Sequence, residues 1–516
     1  MHNRRTAIQM LTTAAALPLM PCGPWAQQGQ QALQMLPMLD ATGGGPVELA
    51  ASAGRTRFAG GEASRTIGYN GSHLGPLVRV GRGEVPTIVE NRLDEPITTH
   101  WHGLMVRGEL DGGPHSLIQP GERWDIVLPI NQPPATLWYH SHVHGRTAPQ
   151  VYSGLAGVLQ VVDGEDEARG LPTSYGTDDL TLVIQDRRFD EAGRLAYDPV
   201  MPDIMHGFSG DTILVNGQIG RTAAVPSGIV RLRLLNASNG RIYPLSLASG
   251  REMHLIATDA GYLDAPVALD ALTLAPGERA EILVDFSGTE RDALVSDDNP
   301  NEGQMMRGMM GRSGNALGNR FDVLPFAVDA RLDARIDRIP DALDGPMPDL
   351  AGRARTTREI SLDMGMMGPG GMGGGMMGGG GMMGDGMMGR GMMRGGRDRD
   401  SIPDPDSDLF GVNGQPFDMQ RLDFQVPQGD VERWIVTASM LAHPFHVHGV
   451  AFQVLSEAGG PPRPQNRGWK DTVLVSDQVE LVARFDQPAS QETPFMFHCH
   501  ILEHEDGGMM GQFTVG

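Results

Sequence analysis

The sequence predicts an all-β protein built from three β-sandwich domains. Two observations predict it. Short runs rich in Val, Ile and Leu fill the body of the chain: LVRVG, PTIVENRL, WDIVLPI, AGVLQVVD, LTLVIQD, IVRLRLLNAS, ERAEILVDF, ERWIVTAS, FQVLSEA and DTVLVSD. Gly, Pro, Asn and Asp punctuate them, the pattern of strands in a sandwich or barrel rather than of helices. The runs also repeat. GEVPTIVENRLDEPITTHWHG begins at Gly83, GIVRLRLLNASNGRIYPLSL at Gly228 and GDVERWIVTASMLAHPFHVHG at Gly429, and a second element, PGER, recurs at Pro120 and Pro276. Three homologous units follow, at residues 46–168, 176–330 and 356–516, with a charged linker at 331–355 between the second and third.

Length agrees, since 516 residues exceed what one core organises. The formal net charge is −22, and an acidic body of this size repels nucleic acid and anionic membrane surfaces. A small cation or a neutral molecule is the expected substrate, with no nucleic acid partner, no stable membrane association and a monomeric state. The first 26 residues carry Arg4 and Arg5 ahead of a modest apolar stretch and a cleavage-like Ala26, the form of a twin-arginine export signal. Export predicts a periplasmic protein in an oxidising compartment. A lipid anchor on Cys22 is the alternative use of this end, although Pro21 before it fits that poorly.

One segment breaks the β pattern. Between Met364 and Met393 stand 12 methionines, almost all spaced by glycine, a composition that cannot build a packed core.

The functional signal lies in histidines. HWHG (His100, His102), HSHVHG (His140, His142), HPFHVHG (His443, His446, His448) and HCHILEH (His498, His500, His504) supply ten candidate ligands from the chain's 16 histidines. The repeats assign them. His100 and His102 stand 17 and 19 residues after Gly83, as do His446 and His448 after Gly429; the same offsets from Gly228 give Leu245 and Leu247. The middle unit has therefore lost its ligands, and the outer two share a cluster. Aligning WYHSH with MFHCH sets Ser141 opposite Cys499, Ile97 opposite His443, Arg146 opposite His504 and Val151 opposite Met509. One thiolate, two imidazoles and a distant thioether form a blue-copper ligand set, present in the third unit only. Neighbouring side chains of an extended segment point to opposite sides, so Cys499 can face one copper while His498 and His500 face others. The remaining eight histidines suit a three-copper cluster between the outer units.

In order and spacing these four motifs closely resemble those of the multicopper oxidases: laccases, ascorbate oxidase, bilirubin oxidase and bacterial copper-efflux oxidases. The resemblance covers essentially the whole mature chain. It implies three cupredoxin-like Greek-key domains, the third with the Met/Gly-rich insertion, and four copper ions. It implies an enzyme that couples one-electron oxidation of a substrate to four-electron reduction of O2 to water. By position, His443, Cys499 and His504 would bind type 1 copper with Met509 axial, and His100 and His446 the type 2 ion. His102, His140, His142, His448, His498 and His500 would bind the type 3 pair, while His144 lies outside the pattern. Asp111 and Glu505 stand where the family keeps carboxylates for proton delivery; orienting ligands or waters is the alternative role.

The Met tract and the export signal most resemble the copper-efflux branch, which implies Cu(I) as reductant, with small aromatic reductants of the laccase type as the alternative. Asp363, Met364, Met366, Met367 and Met440 are the candidates for a cuprous substrate site. Efflux members carry an acid and a methionine four and two residues before the first type 1 histidine, where this chain has Ser439 and Leu441. A spacer or a sink for oxidants is the plainer reading of the tract. A non-catalytic cupredoxin-fold protein of the cell envelope, or a copper-storage protein, is the remaining functional alternative. The complete ligand set argues against it.

Overall fold

The computed structural model describes residues 31–365 and 409–516, apart from 59, 302–316, 318 and 346. The expected signal, Cys22 and most of the Met tract, including Met366 and Met367, lie outside these residues.

Six sheets pair into three sandwiches. In the first, strands Met38–Asp40, Leu77–Val80, Ala156–Val161 and Ala135–His140 form one sheet. Ser64–Tyr69, Val47–Thr56, Gly83–Asn91 and Arg123–Ile130 form the other. Non-consecutive neighbours in both sheets, such as Val47–Thr56 beside Gly83–Asn91, give the crossed connections of a Greek key. The leading half of Val47–Thr56 alternates buried and exposed residues, as a half-buried strand must. Its core holds Val89, Ile97, Trp101 and Leu137.

The second sandwich is the middle of the molecule, and its burial pattern says so. Strands Asp179–Arg187 and Ile229–Asn236 are buried at every residue, because both faces of their sheet are covered. One face feeds the apolar core, where Leu245 and Leu247 fill the positions that carry histidines in the outer units. The other carries Arg231 and Arg233, which are paired with Asp166, Asp179 and Glu281. Buried cations persist only when their donors are met in this way. Residues Gln31–Ala32 add a short parallel strand to this unit beside Arg221–Val225. The segment between the second and third units is packed down: Leu343, Ile336 and Ile339 lie against Tyr262 and Leu283, and Leu350 lies against Val431 and Val482.

In the third sandwich, strand His443–Val447 runs antiparallel to Phe495–Cys499, with Phe445 opposite Cys499 and His446 opposite His498. This register fixes the site. His446 and His498 share one face of the sheet, while Cys499 and Phe445 turn into the core with Met509. No helix among the described residues is long and apolar enough to cross a membrane.

Candidate metal centres

The first centre lies inside the third sandwich. His443 opens its strand, Cys499 closes the neighbouring one, and His504 sits in the short helix Leu502–Asp506 that follows. The Nδ1 of His443 is 3.4 Å from Cys499 Sγ, His504 Nδ1 is 3.6 Å from it, and the two nitrogens are 3.2 Å apart. Three atoms so spaced lie on a circle of radius about 2.0 Å, which matches first-row metal bonds of about 2.0–2.3 Å to imidazole and thiolate. The Cys499 N–H donates to the Met509 carbonyl at 3.1 Å, which brings that residue into the same core. All four are 0% exposed. Burial pushes the Cys499 thiol up and His443 down to about 4, so without metal the site is neutral and a bound cation would supply the charge a thiolate needs.

The outer edge of this centre is covered. Phe410 stacks on His504 at 4.4 Å, and the His504 Nε2 is 3.3 Å from the Met205 carbonyl in helix Met201–His206, a segment the strand pattern gave no reason to expect. In the first sandwich the corresponding pocket is closed by other means. Ile97 and Val151 are core residues, Ser141 donates to Gln150, and Arg146 pairs with Glu95.

The second centre lies between the outer sandwiches. Seven of its eight histidines fall into close groups: His100, His446 and His448; His100, His102 and His140; and His142, His448 and His498. The Nε2 atoms of His100 and His446 are 3.4 Å apart, and His498 Nε2 is 3.2 Å from those of both His142 and His448. His500 stands further off, its ring 5.0 Å from His102 and 5.4 Å from His140, with both nitrogens buried and unpartnered.

Second nitrogens are held by oxygen. His100 Nδ1 faces the Asp111 carbonyl at 3.0 Å, His140 the Ser141 carbonyl at 2.9 Å, His446 the Asp471 carbonyl at 2.8 Å and His498 the Cys499 carbonyl at 3.0 Å. His448 Nδ1 donates to Asp111 Oδ2 at 2.7 Å. An Nδ1–H donated to oxygen leaves the Nε2 lone pair aimed at the centre, the arrangement metal-binding histidines adopt. His102 is reversed: its Nε2 faces Asp471 Oδ1 at 3.1 Å, and Nδ1 is left unpartnered. Burial, then neighbouring imidazoles, hold His140, His142, His448 and His500 well below the ordinary range, so they are neutral and free to ligate. The donor set is soft-to-borderline and nitrogen-rich, which fits copper.

Glu505 lies 3.4 Å from His142 Nδ1 and 3.3 Å from His498 Nδ1, and burial raises its carboxyl well above the usual range. His144 is half-buried with its ring against Phe417. The cuprous candidates are scattered in environment. Met364 is packed in the core with Ile360 and Phe410, while Asp363 accepts from the Ser361 hydroxyl and the Gly414 N–H. Met440 is 63% exposed. Sequence reasoning missed Asp471, Arg279 and Trp138, which stacks on His140 at 4.1 Å. Asp471 stands in WKDT, with no spacing that ties it to histidines 25 or 369 residues away.

Three models of multicopper oxidase domains match residues 50–166, 180–303 and 389–516. The chain belongs to the multicopper oxidase family. Among solved structures it is similar to a laccase-like multicopper oxidase, CueO, from Ochrobactrum, with 37% identity and a TM-score of 0.79 over 94% of this chain and all of that one. It is also similar to a metallo-oxidase of Campylobacter jejuni, at 25% identity and a TM-score of 0.74 over 95% of this chain and 96% of that one. Curated sequences of the whole length carry another name. The chain is 37% identical over 515 residues to cell division protein FtsP of Xenorhabdus nematophila, covering 99% of this chain and 98% of that protein. It is 37% identical over 514 residues to FtsP of Escherichia coli K12, with the same coverage.

These relatives overturn the expectation of an oxygen-reducing oxidase, whether of Cu(I) or of phenols. A ligand set states what a site can hold, whereas family members share the fold across different tasks. A full set of ligands does not by itself exclude a non-catalytic envelope protein. The proton-delivery roles of Asp111 and Glu505 fall with the oxidase expectation.

Proposed function

We propose that this chain is an exported protein of the cell envelope that serves cell division as a folded, non-catalytic body, and that it holds copper as a resident ion. The observation that carries the first part is the 37% identity to cell division proteins over 99% of this chain and 98% of theirs. The covered His504 edge supports it, because an electron-donating substrate has no exposed imidazole to approach. The twin arginine, Arg4 and Arg5, and the acidic balance are consistent with the periplasm.

Copper binding rests on the circle of His443, Cys499 and His504 and on the inward nitrogens between the outer sandwiches. His443, Cys499, His504 and Met509 would hold one ion. His100, His102, His140, His142, His446, His448, His498 and His500 would hold up to three more. Bound there, copper cross-links the first and third sandwiches, which is how a metal adds to the stability of a multi-part body.

The test is deletion of the gene in its own host, with cell length scored during growth under envelope stress. Filamentous cells, restored to normal length by the wild-type chain, are the expected result. Normal division of the deletion strain under every stress applied would refute the proposal.

A further inference from the structure

The middle unit carries none of the candidate ligands, yet one of its side chains reaches the histidine centre. Arg279 begins the strand Arg279–Asp285 and is buried, and each of its five N–H donors has a partner. Nε donates to the Thr136 carbonyl of the first sandwich at 3.1 Å. Two more donate within the second, to Gly277 O at 3.0 Å and Asp259 O at 2.8 Å. The last two form a fork on Asp471 of the third, at 2.7 and 2.5 Å. One guanidinium therefore joins all three units at a single point, using the planar geometry that lysine lacks.

Asp471 is the oxygen source for two histidines. Its Oδ1 is 3.1 Å from His102 Nε2, the one reversed imidazole, and its carbonyl faces His446 Nδ1 at 2.8 Å. Thr472 Oγ1 closes the same corner, 2.9 Å from Asp471 Oδ1 and 3.2 Å from both rings.

The repeat uses the same element differently in the first and second units. In both units the PGER glutamate accepts a backbone N–H three residues before it, Gln119 for Glu122 and Ala275 for Glu278. In the first unit Arg123 is half-exposed and pairs only with Asp125, and a Cβ at Gly121 would meet nothing. In the second, Arg279 is buried on Asp471, and a Cβ at Gly277 would come within 2.8 Å of the His500 ring. The loop with nothing to bind has been laid against the ligands of its neighbours.

We propose that Arg279 is the positioning residue of the histidine centre. By clamping Asp471 it fixes the orientation of His102 and His446, so that the ligand-free unit sets the geometry of a site formed by the other two. The inference rests on copper binding at that centre. Loss of such an oxygen partner weakens metal affinity by about 10–100-fold.

The experiment uses the full chain loaded with Cu(II), followed by dialysis against a graded chelator. Copper per chain, the blue absorption of the Cys499 centre and the melting temperature of the metal-free form are measured. Arg279→Met should lose copper from the histidine centre at about 10–100-fold lower chelator strength than wild type, with the blue band retained. Arg279→Lys keeps the charge and loses the fork; it should show the same loss in smaller degree and guards against a Met variant that fails to fold. Lys470→Met is the control, because Lys470 joins the second and third units through Asp259 and Glu278 without touching the Asp471 carboxylate. It should lower the melting temperature and leave copper retention unchanged. If Arg279→Lys and Lys470→Met both retain copper as wild type does, Arg279 is an interdomain clamp and the proposal is overturned. If wild type itself holds no copper beyond the Cys499 centre, the copper reading fails and this inference with it.

Discussion

Removing metal should make the protein sharply sensitive to mild acid. His102, His140, His142, His443, His446, His448, His498, His500 and His504 are all lowered in the folded, metal-free protein, chiefly by burial. An unfolded chain binds protons on these rings below about pH 6.5, and the folded one does not. Folded-state values below unfolded ones give stability that is present above pH 6.5 and lost as pH falls through the window toward the folded values, about 4 for His443. Each such ring costs about 1.4 kcal/mol per pH unit. Glu503, Glu505 and Asp506 act in the opposite sense, because their raised values favour the folded state as pH falls. For His443, whose value falls from 6.5 to about 4, this amounts to roughly 3 kcal/mol by pH 4, a sizeable part of a typical domain's stability of about 5–15 kcal/mol; the other lowered rings add to it and the three carboxylates oppose it. The metal-free protein should therefore lose its outer units as pH falls from 6.5 toward 4. Bound copper would hold the rings neutral by ligation and should move the transition to lower pH. Circular dichroism across pH 8 to 3, with and without copper at constant ionic strength, measures both. Coincident transitions, or a metal-free protein still folded at pH 4, would refute the reasoning.

Three further outcomes follow from particular contacts. Gly277→Ala places a Cβ within 2.8 Å of His500 at a φ of +84°, and should lower stability by about 1–2 kcal/mol while weakening copper retention, read by melting and metal analysis. Glu503→Gln confronts the donors of Tyr197, Asn239 and Phe208 with an amide, so a loss of about 2 kcal/mol and a fall of roughly 4–8 °C in melting temperature are expected. Replacing residues 366–408 with Asn-Gly should leave the melting temperature within about 2 °C of wild type. The flanking strands already pair there, Met364 opposite Phe410, and a two-residue turn of that kind suits an antiparallel pair.

The sandwiches were legible because strand periodicity and the repeats are local patterns, and the ligand motifs because their spacing is local too. Even the empty middle unit was readable, as Leu245 and Leu247 at the offsets of His100 and His102. What stayed hidden acts over long separations. PGER is visible twice, but nothing in the second copy tells that Arg279 meets a carboxylate 192 residues on. The helix Met201–His206 over His504 was hidden for the same reason: its partner is 299 residues away. The functional misreading had another source, since copper ligands constrain the chemistry of a site and not the task for which the folded body is kept.

On the proposed function, division uses the folded body and not turnover at the Cys499 centre. Cys499→Ser tests it most directly, because the first sandwich already carries Ser141 at the matching position, so the substitution is compatible with the fold. Introduced into the deletion strain at wild-type levels, it is predicted to abolish the blue absorption of the purified protein and still restore normal cell length. Filamentation that persists with a stably folded Cys499→Ser protein would show that division needs the copper centre itself, against the proposed function.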